Sequence, residues 1–134
     1  MPTFAVDWDG TCVALKYPEE GDWLPGAVAA LYTLDRLGTV IIHSVRIAPV
    51  APFSETGGIP APGEEVPIPE QAAREVAYIR RMLEEVGLGH VEIWQRPYKP
   101  PAMVYIDDKA VRFEGDWRTT IDEVLEKIQP ALLA

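Results

Sequence analysis

The stretch from Phe4 to Thr11 constrains this chain most, because an apolar run ends there in two carboxylates. Asp7 and Asp9 stand two residues apart and are followed at once by Gly10 and a hydroxyl residue. We therefore predict a buried strand that presents Asp7 at its carboxyl end, with a sharp turn at Gly10. A strand followed by a plain acidic turn is the simpler interpretation, since Asp and Gly are common turn residues. The rest of the chain decides between a turn and a site.

Composition excludes several classes of protein. The chain has 134 residues, 48% of them hydrophobic, which is typical of one globular domain over residues 1–134. No apolar run approaches the ~20 residues of a membrane-spanning helix, and no secretory signal pattern is visible, so no membrane association is expected. The net charge of −9 makes a long nucleic acid a poor partner. The single Cys12 excludes an internal disulfide and favours a cytoplasmic protein.

Short apolar runs alternate with helical patterns along the chain. Strands are predicted at residues 3–7, 39–43, 91–94 and 103–106, with a further short strand at 111–113. Helices are predicted from Pro25-Gly26 to Gly38, over residues 70–86, and from near Thr120 to Pro130. This alternation indicates an α/β fold, a three-layer sandwich around a mostly parallel central sheet in which the strand at 103–106 is buried.

Polar side chains follow three of the predicted strands, namely Asp7, Ser44 and Asp107. Parallel sheets bind ligands at this carboxyl edge, and Lys99 lies in the loop before the fourth strand. Asp7 and Asp107 can hold Mg²⁺, with water and a substrate oxygen completing the octahedron. Asp7 could then attack phosphorus, while Asp9 protonates the leaving oxygen and later activates water.

The remaining polar groups suit a phosphoryl group. Ser44 could bind a phosphoryl oxygen through its hydroxyl, and Lys99 through its point charge; Lys99 could also hold Asp7 ionised. Arg46 follows Ser44 by two positions and is interpreted either as a substrate contact or as a solvated loop residue. Backbone N–H groups around Trp8 and Asp9 can complete a phosphate cradle, and Gly10 and Thr11 are further candidates for binding the phosphate.

In this order and spacing, the residues resemble the haloacid dehalogenase superfamily, in its phosphatase branch. The resemblance runs from the Asp-Trp-Asp-Gly-Thr signature at residues 7–11 through Ser44 and Lys99 to Asp107-Asp108. It implies the Rossmann-like fold of that superfamily and a Mg²⁺-dependent phosphatase with an aspartyl-phosphate intermediate on Asp7.

The same resemblance implies a role for each site residue. Asp7 would be nucleophile and metal ligand, and Asp9 general acid/base and metal ligand through its backbone carbonyl. Asp107 would bind the metal, with Asp108 as a further ligand or its support. Ser44 and Lys99 would hold the phosphoryl group.

The resemblance also implies a minimal protein without a large cap domain. Such proteins act on large substrates that can reach an open site, or build a lid by forming a homo-oligomer. The substrate expected for this chain is a small or exposed phosphorylated compound. Residues 47–69 contain six prolines and three glycines and are predicted as a long loop, either a lid or a flexible insertion.

Two other functions remain open. One is a phosphate-binding or regulatory module that keeps the pocket but has little turnover, although Asp9 is then without a purpose. The other is a response-regulator receiver, which also places acidic residues, a hydroxyl and a lysine on a parallel sheet. In a receiver the acidic pair comes first in the chain, whereas here the pair at Asp107 and Asp108 comes last.

Overall fold

A four-stranded parallel sheet organises the computed structural model, which describes residues 1–16, 18–47 and 70–132. The strands are β1 (Thr3–Asp7), β2 (Thr39–His43), β3 (Glu92–Ile93) and β4 (Val104–Ile106). The helices are α1 (Ala27–Leu37), α2 (Glu70–Glu85) and α3 (Trp117–Leu132), with a single 3₁₀ turn at Val45–Ile47. The predicted α/β class with a Rossmann-like parallel sheet is confirmed, and the described residues contain no separate cap domain. Apart from Ile47, the loop predicted over 47–69 lies outside the described residues.

The strand order β3-β2-β1-β4 places β1 and β2 at the centre of the sheet. In the register, Asp7 lies beside His43, and Val6 lies beside Ile106. All pairs are parallel, so every carboxyl end points to the same edge. This order brings the end of β1 directly next to the end of β4.

Helices α1 and α2 cover one face of the sheet. Side chains alternate between the two faces of a strand, and the core face carries Phe4, Val6, Val40 and Ile42. From the helices, Leu31 of α1 and the α2 residues Ile79 and Leu83 pack into the same buried cluster. Each of these two helices therefore turns an apolar side towards the core.

The connection from β3 to β4 runs over the opposite face. It must pass from β3 at one edge of the sheet to β4 at the other. Tyr105 shares a face with Ala5, and its hydroxyl donates a hydrogen bond to the carbonyl of Pro100 at 2.7 Å. Ala5 and Ile41 are buried on this face. The loop before β4 thus takes the place that a helix fills on the other side.

The fourth strand differs from its prediction. Val104 and Tyr105 are 42% and 40% exposed, so the expectation of a buried strand is wrong. The reason is position: among the described strands β4 lies at the edge of the sheet, next to β1. The predicted fifth strand at 111–113 is also wrong, since those residues lie in no strand of the described chain.

The last helix begins earlier and ends later than predicted. Asp116 caps it, because its carboxylate accepts hydrogen bonds from Arg118 N–H and the Thr119 hydroxyl, both at 2.9 Å. Thr120 is therefore inside the helix rather than at its start. Pro130 lies in the final turn of α3 instead of stopping the helix.

None of the helices within the described ranges has both the length and the apolar character needed to cross a membrane.

Candidate functional site

The signature loop turns sharply at Gly10. The carbonyl of Trp8 accepts hydrogen bonds from the backbone N–H groups of residues 11–13 at 2.9 to 3.3 Å. Gly10 has a φ of 81°, in the left-handed region that glycine tolerates best. A Cβ atom at this position would lie 2.2 Å from Oδ2 of Asp108. The backbone of the loop therefore packs directly against an acidic side chain that follows β4.

Three carboxylates meet at the carboxyl edge of the sheet. Because Val6 pairs with Ile106, the residues that follow them, Asp7 and Asp107, lie next to each other. Asp108 joins them, and one carboxylate oxygen from each residue lies within 4.8 Å of the other two. Of the polar groups expected at this edge, Asp7 and Asp107 thus lie together, with Asp108 beside them.

Burial and negative neighbours oppose the ionisation of Asp7. Desolvation is the largest cause and repulsion from Asp107 the next, and the pKa of Asp7 is raised to about 7. A hydrogen bond from the backbone of Trp8 lowers the pKa but does not offset these effects. A cation held between the carboxylates would reverse the repulsion.

Lys109 is the lysine that lies at this cluster. Its Nζ donates a hydrogen bond to Oδ2 of Asp108 at 3.0 Å, and its backbone N–H donates to Oδ1 of Asp107 at 2.7 Å. The hydrogen bond to Asp108 is the main reason that the pKa of Lys109 is raised. Sequence reasoning gave Lys109 no role, although its position directly after two aspartates was a usable signal.

Lys99, the lysine that the sequence favoured, packs against Tyr105. Its Nζ is 4.0 Å from the centre of the Tyr105 ring, on the face of the sheet beneath the β3–β4 connection. It is near enough to His43 to lower the pKa of that residue, although desolvation is the larger cause. The role of Lys99 in holding a phosphoryl group stays a prediction.

Asp9 is buried in an ion pair. Nε of Arg46 donates to Oδ1 and Oδ2 of Asp9 at 2.9 and 2.8 Å. The hydroxyl of Ser44 donates to Oδ2 of Asp9 at 3.4 Å and accepts the backbone N–H of Arg46 at 3.1 Å. Both oxygens of the Asp9 carboxylate therefore act as acceptors, and Ser44 supports Asp9 in this arrangement.

Arg46 joins Asp9 to two other parts of the chain. Its guanidinium donates to the carbonyl of Pro18 at 2.8 Å and to the carbonyl of Glu19, and lies 3.5 Å from the carboxylate of Glu75 on α2. Only 2% of the Arg46 side chain is exposed. The interpretation of Arg46 as a solvated residue is wrong, because the 3₁₀ turn after β2 directs it inward. A substrate contact through Arg46 stays a prediction.

The residues of the predicted phosphate cradle have different surroundings. The hydroxyl of Thr11 lies at hydrogen-bond distance from Oδ2 of Asp7, 3.5 Å. The side chain of Trp8 is buried and packs edge-on against Trp23 at 5.2 Å, so only its backbone can serve a ligand. Cys12 is also buried, and desolvation raises the pKa of its thiol to about 12, which suits a packing residue rather than a nucleophile.

The carboxylates line a cleft with a volume of about 350 Å³. It is lined by Asp7, Asp9, Leu15, Val45, Asp107, Asp108 and Lys109. Leu15 and Val45 are 53% and 78% exposed, so the rim is apolar where the floor is acidic. Oxygen donors at mutual distances below 4.8 Å are the kind of set that Mg²⁺ binds, so these residues fit the metal expected from the sequence.

Comparisons with known proteins add a single structural likeness. Neither a scan against protein-family models nor a search of curated proteins found a match. Among solved structures, the chain is similar to a conserved protein from Bacteroides thetaiotaomicron. The identity is 25%, the TM-score is 0.49, and the match covers 94% of this chain and 91% of that one.

Proposed function

We propose that this protein is a Mg²⁺-dependent phosphatase of the haloacid dehalogenase type, which hydrolyses a phosphate monoester through an aspartyl-phosphate on Asp7. One observation carries the proposal. Asp7 of the Asp-x-Asp-Gly-Thr signature lies with Asp107 and Asp108 at the carboxyl edge of a parallel sheet, their oxygens within 4.8 Å of one another.

Oxygen atoms of Asp7, Asp107 and Asp108 would hold the Mg²⁺, with the backbone carbonyl of Asp9 as a further ligand. When bound, the ion would offset the repulsion between these carboxylates and an incoming phosphate. This effect would matter most for Asp7, because burial and Asp107 raise its pKa to about 7.

Two steps divide the work between Asp7 and Asp9. In the first, an oxygen of Asp7 bonds to phosphorus, the bond from phosphorus to the ester oxygen breaks, and Asp9 gives that oxygen its proton. In the second, Asp9 takes a proton from water as the water attacks phosphorus. Inorganic phosphate leaves, and the Asp7 carboxylate and protonated Asp9 are restored.

The ion pair of Asp9 favours a second candidate function, the phosphate-binding or regulatory module. A general acid must carry a proton, whereas both oxygens of Asp9 accept hydrogen bonds from Arg46. Turnover would require Asp9 to loosen this contact, while a binding module could keep it unchanged. The pair also gives Asp9 a structural purpose, which the module hypothesis lacked.

The cleft also bears on the substrate. The described residues contain no cap, so the acidic floor is open to a small phosphorylated compound or to a phosphate exposed on a larger one. Leu15 and Val45 at the rim would favour an apolar group next to the phosphate. A cytoplasmic location belongs to the same proposal, supported by the single, buried Cys12.

A panel of phosphate esters tests the proposal, assayed with Mg²⁺, with EDTA and with Asp7→Asn. We expect metal-dependent hydrolysis that falls at least ~1,000-fold in Asp7→Asn, because the nucleophile is lost. Asp122→Asn, which removes an exposed carboxylate from α3, is the matched control and should leave turnover unchanged. Substantial activity in Asp7→Asn would overturn the role of Asp7.

An inactive wild-type protein would favour the second candidate if it still binds Mg²⁺ in calorimetry. Covalent labelling by a small phosphodonor, with the modified residue located by mass spectrometry, distinguishes the receiver hypothesis. Label on Asp7 supports the phosphatase, and label on another aspartate supports a receiver.

A further inference from the structure

Helix α3 leaves its apolar side chains open to solvent. These side chains recur at helical spacing and are 42% to 70% exposed, and we call them the α3 stripe: Trp117, Ile121, Leu125, Ile128 and Leu132. Phe113 extends the stripe, because its ring lies 5.0 Å from that of Trp117 and is 52% exposed. No helix or strand of the described residues packs substantially against α3.

An amphipathic helix of this length needs a surface to pack against. Isolated helices of about 12–15 residues are marginal in water, and helices in proteins are stabilised mainly by burying their apolar face. The α3 helix has 16 residues, and only Thr120 is buried. Its stripe therefore indicates an occupant outside the described contacts.

We propose that the occupant is a second copy of this chain, with the α3 stripe of one copy packed on the α3 stripe of the other. A two-fold axis brings the same patch of both copies together, and symmetric dimers of this kind are the commonest oligomers. The inference does not depend on the proposed catalytic function.

The charges of α3 suit self-association. The chain carries a net charge of −9, so carboxylates within the contact surface would add to the repulsion between two copies. At 3.6 residues per turn, all three acidic residues of α3 lie off the stripe: Asp122, Glu123 and Glu126. A basic partner would instead be recognised by acidic residues along the contact surface, and the stripe has none.

The size of the stripe is close to what a dimer needs. A large side chain buries about 200 Å² of surface when it is fully covered. The five side chains of the stripe and Phe113 are each about half exposed, so together they present on the order of 600 Å² of apolar surface. Each partner in a standard interface contributes roughly 800 Å². The polar rim around the stripe can supply the rest.

Light scattering coupled to size-exclusion chromatography tests the dimer with the full chain at several concentrations. We expect a mass twice that of the 14.9 kDa chain. Leu125→Lys should raise the dissociation constant roughly 100-fold, because it leaves an unpaired charge in the interface. Glu126→Gln is the matched control, since it changes the net charge by the same amount on the opposite side of α3, and it should remain a dimer.

Three outcomes would overturn the proposal: a wild-type monomer at all concentrations, a Leu125→Lys dimer as tight as wild type, or equal dissociation of both variants. The first would mean that another part of the chain or another protein covers the stripe. Leu125→Ser, which adds no charge, guards against misfolding and should weaken the dimer less than Leu125→Lys. Circular dichroism should give the same helix content for all variants below the dissociation constant.

Discussion

The candidate site has two halves whose charges are balanced differently. In the paired half, Asp9 is buried and meets Arg46 and Ser44 within the chain. In the carboxylate half, Asp7, Asp107 and Asp108 crowd together, and Lys109 is the cation among the described residues that line the cleft. In the paired half, the charge of Asp9 is balanced by Arg46, whereas the carboxylate half leaves Asp7 with a raised pKa. A bound cation would therefore offset charge in the carboxylate half, whereas the Asp9 carboxylate of the paired half already has its counter-charge.

Breaking the paired half should have the largest effect. Arg46→Ala leaves Asp9 buried without its counter-charge, so the free energy of unfolding should fall by about 3–5 kcal/mol. Urea denaturation measures this, with Arg112→Ala as an exposed control that should change little. Arg46→Lys keeps the charge but loses the carbonyl contacts and should fall between the two. A loss below about 1 kcal/mol in Arg46→Ala would mean that the pair is not structural.

Removing one charge from the carboxylate half should act in the opposite direction on stability. Asp107→Asn takes away the second cause of the raised pKa of Asp7, so the metal-free protein should unfold at equal or higher urea concentration. It should also weaken Mg²⁺ binding in calorimetry by about 10- to 100-fold, since a charged ligand is lost. Unchanged Mg²⁺ affinity would remove Asp107 from the metal ligands.

The contact between the signature loop and Asp108 can be tested with two glycines. Gly10→Ala combines an unfavourable φ of 81° with a Cβ atom 2.2 Å from Oδ2 of Asp108, and should cost about 2–3 kcal/mol of stability. Gly115 has a φ of 95° with nothing within 4 Å of its Cβ position, so Gly115→Ala should cost about 1 kcal/mol. Equal losses of stability in the two variants would show that the Asp108 side chain moves aside without an energetic penalty.

The smallest expected effect is a dependence of stability on pH. Asp7 has an unperturbed pKa of 3.8 and a native pKa of about 7, so between these values the native state binds more protons than the unfolded state. The free energy of unfolding in EDTA should therefore decrease as pH rises from about 4 to 7 and then level off. The decrease should be about 1–2 kcal/mol, after allowance for solvent screening of a half-exposed group.

Asp7→Asn is the control for this pH dependence, because the component due to Asp7 should be absent from the variant. Saturating Mg²⁺ should remove the same component from the wild-type protein, since the ion favours the carboxylate. A wild-type curve that matches the Asp7→Asn curve in EDTA would contradict the raised pKa.

Much of the fold could be predicted from local pattern. The bounds of β1 and β2 were predicted correctly, because a short apolar run that ends in polar residues is a local pattern. Such a pattern can be recognised without knowing the rest of the fold. Asp7 and Asp107 were placed together because both follow strands of one parallel sheet. The exposure of β4 was missed, since an apolar run does not show whether its strand lies at the centre or the edge.

Other parts of the site depended on contacts between distant segments. The pairing of Asp9 with Arg46 joins residues 37 positions apart and depends on the 3₁₀ turn after β2. Likewise, nothing in the two lysine positions shows that Lys109 reaches the carboxylates while Lys99 packs on Tyr105.

Local sequence pattern is enough to predict the α/β alternation, the sharp turn at Gly10 and the acidic groups at the ends of β1 and β4. These follow from side-chain periodicity and backbone freedom, which act over a few residues. The folded arrangement was needed to show which charges are paired, which lysine joins the cleft, and that the apolar stripe of α3 is left uncovered by the described chain. Those outcomes depend on distances between segments far apart in sequence, and local chemistry does not set such distances.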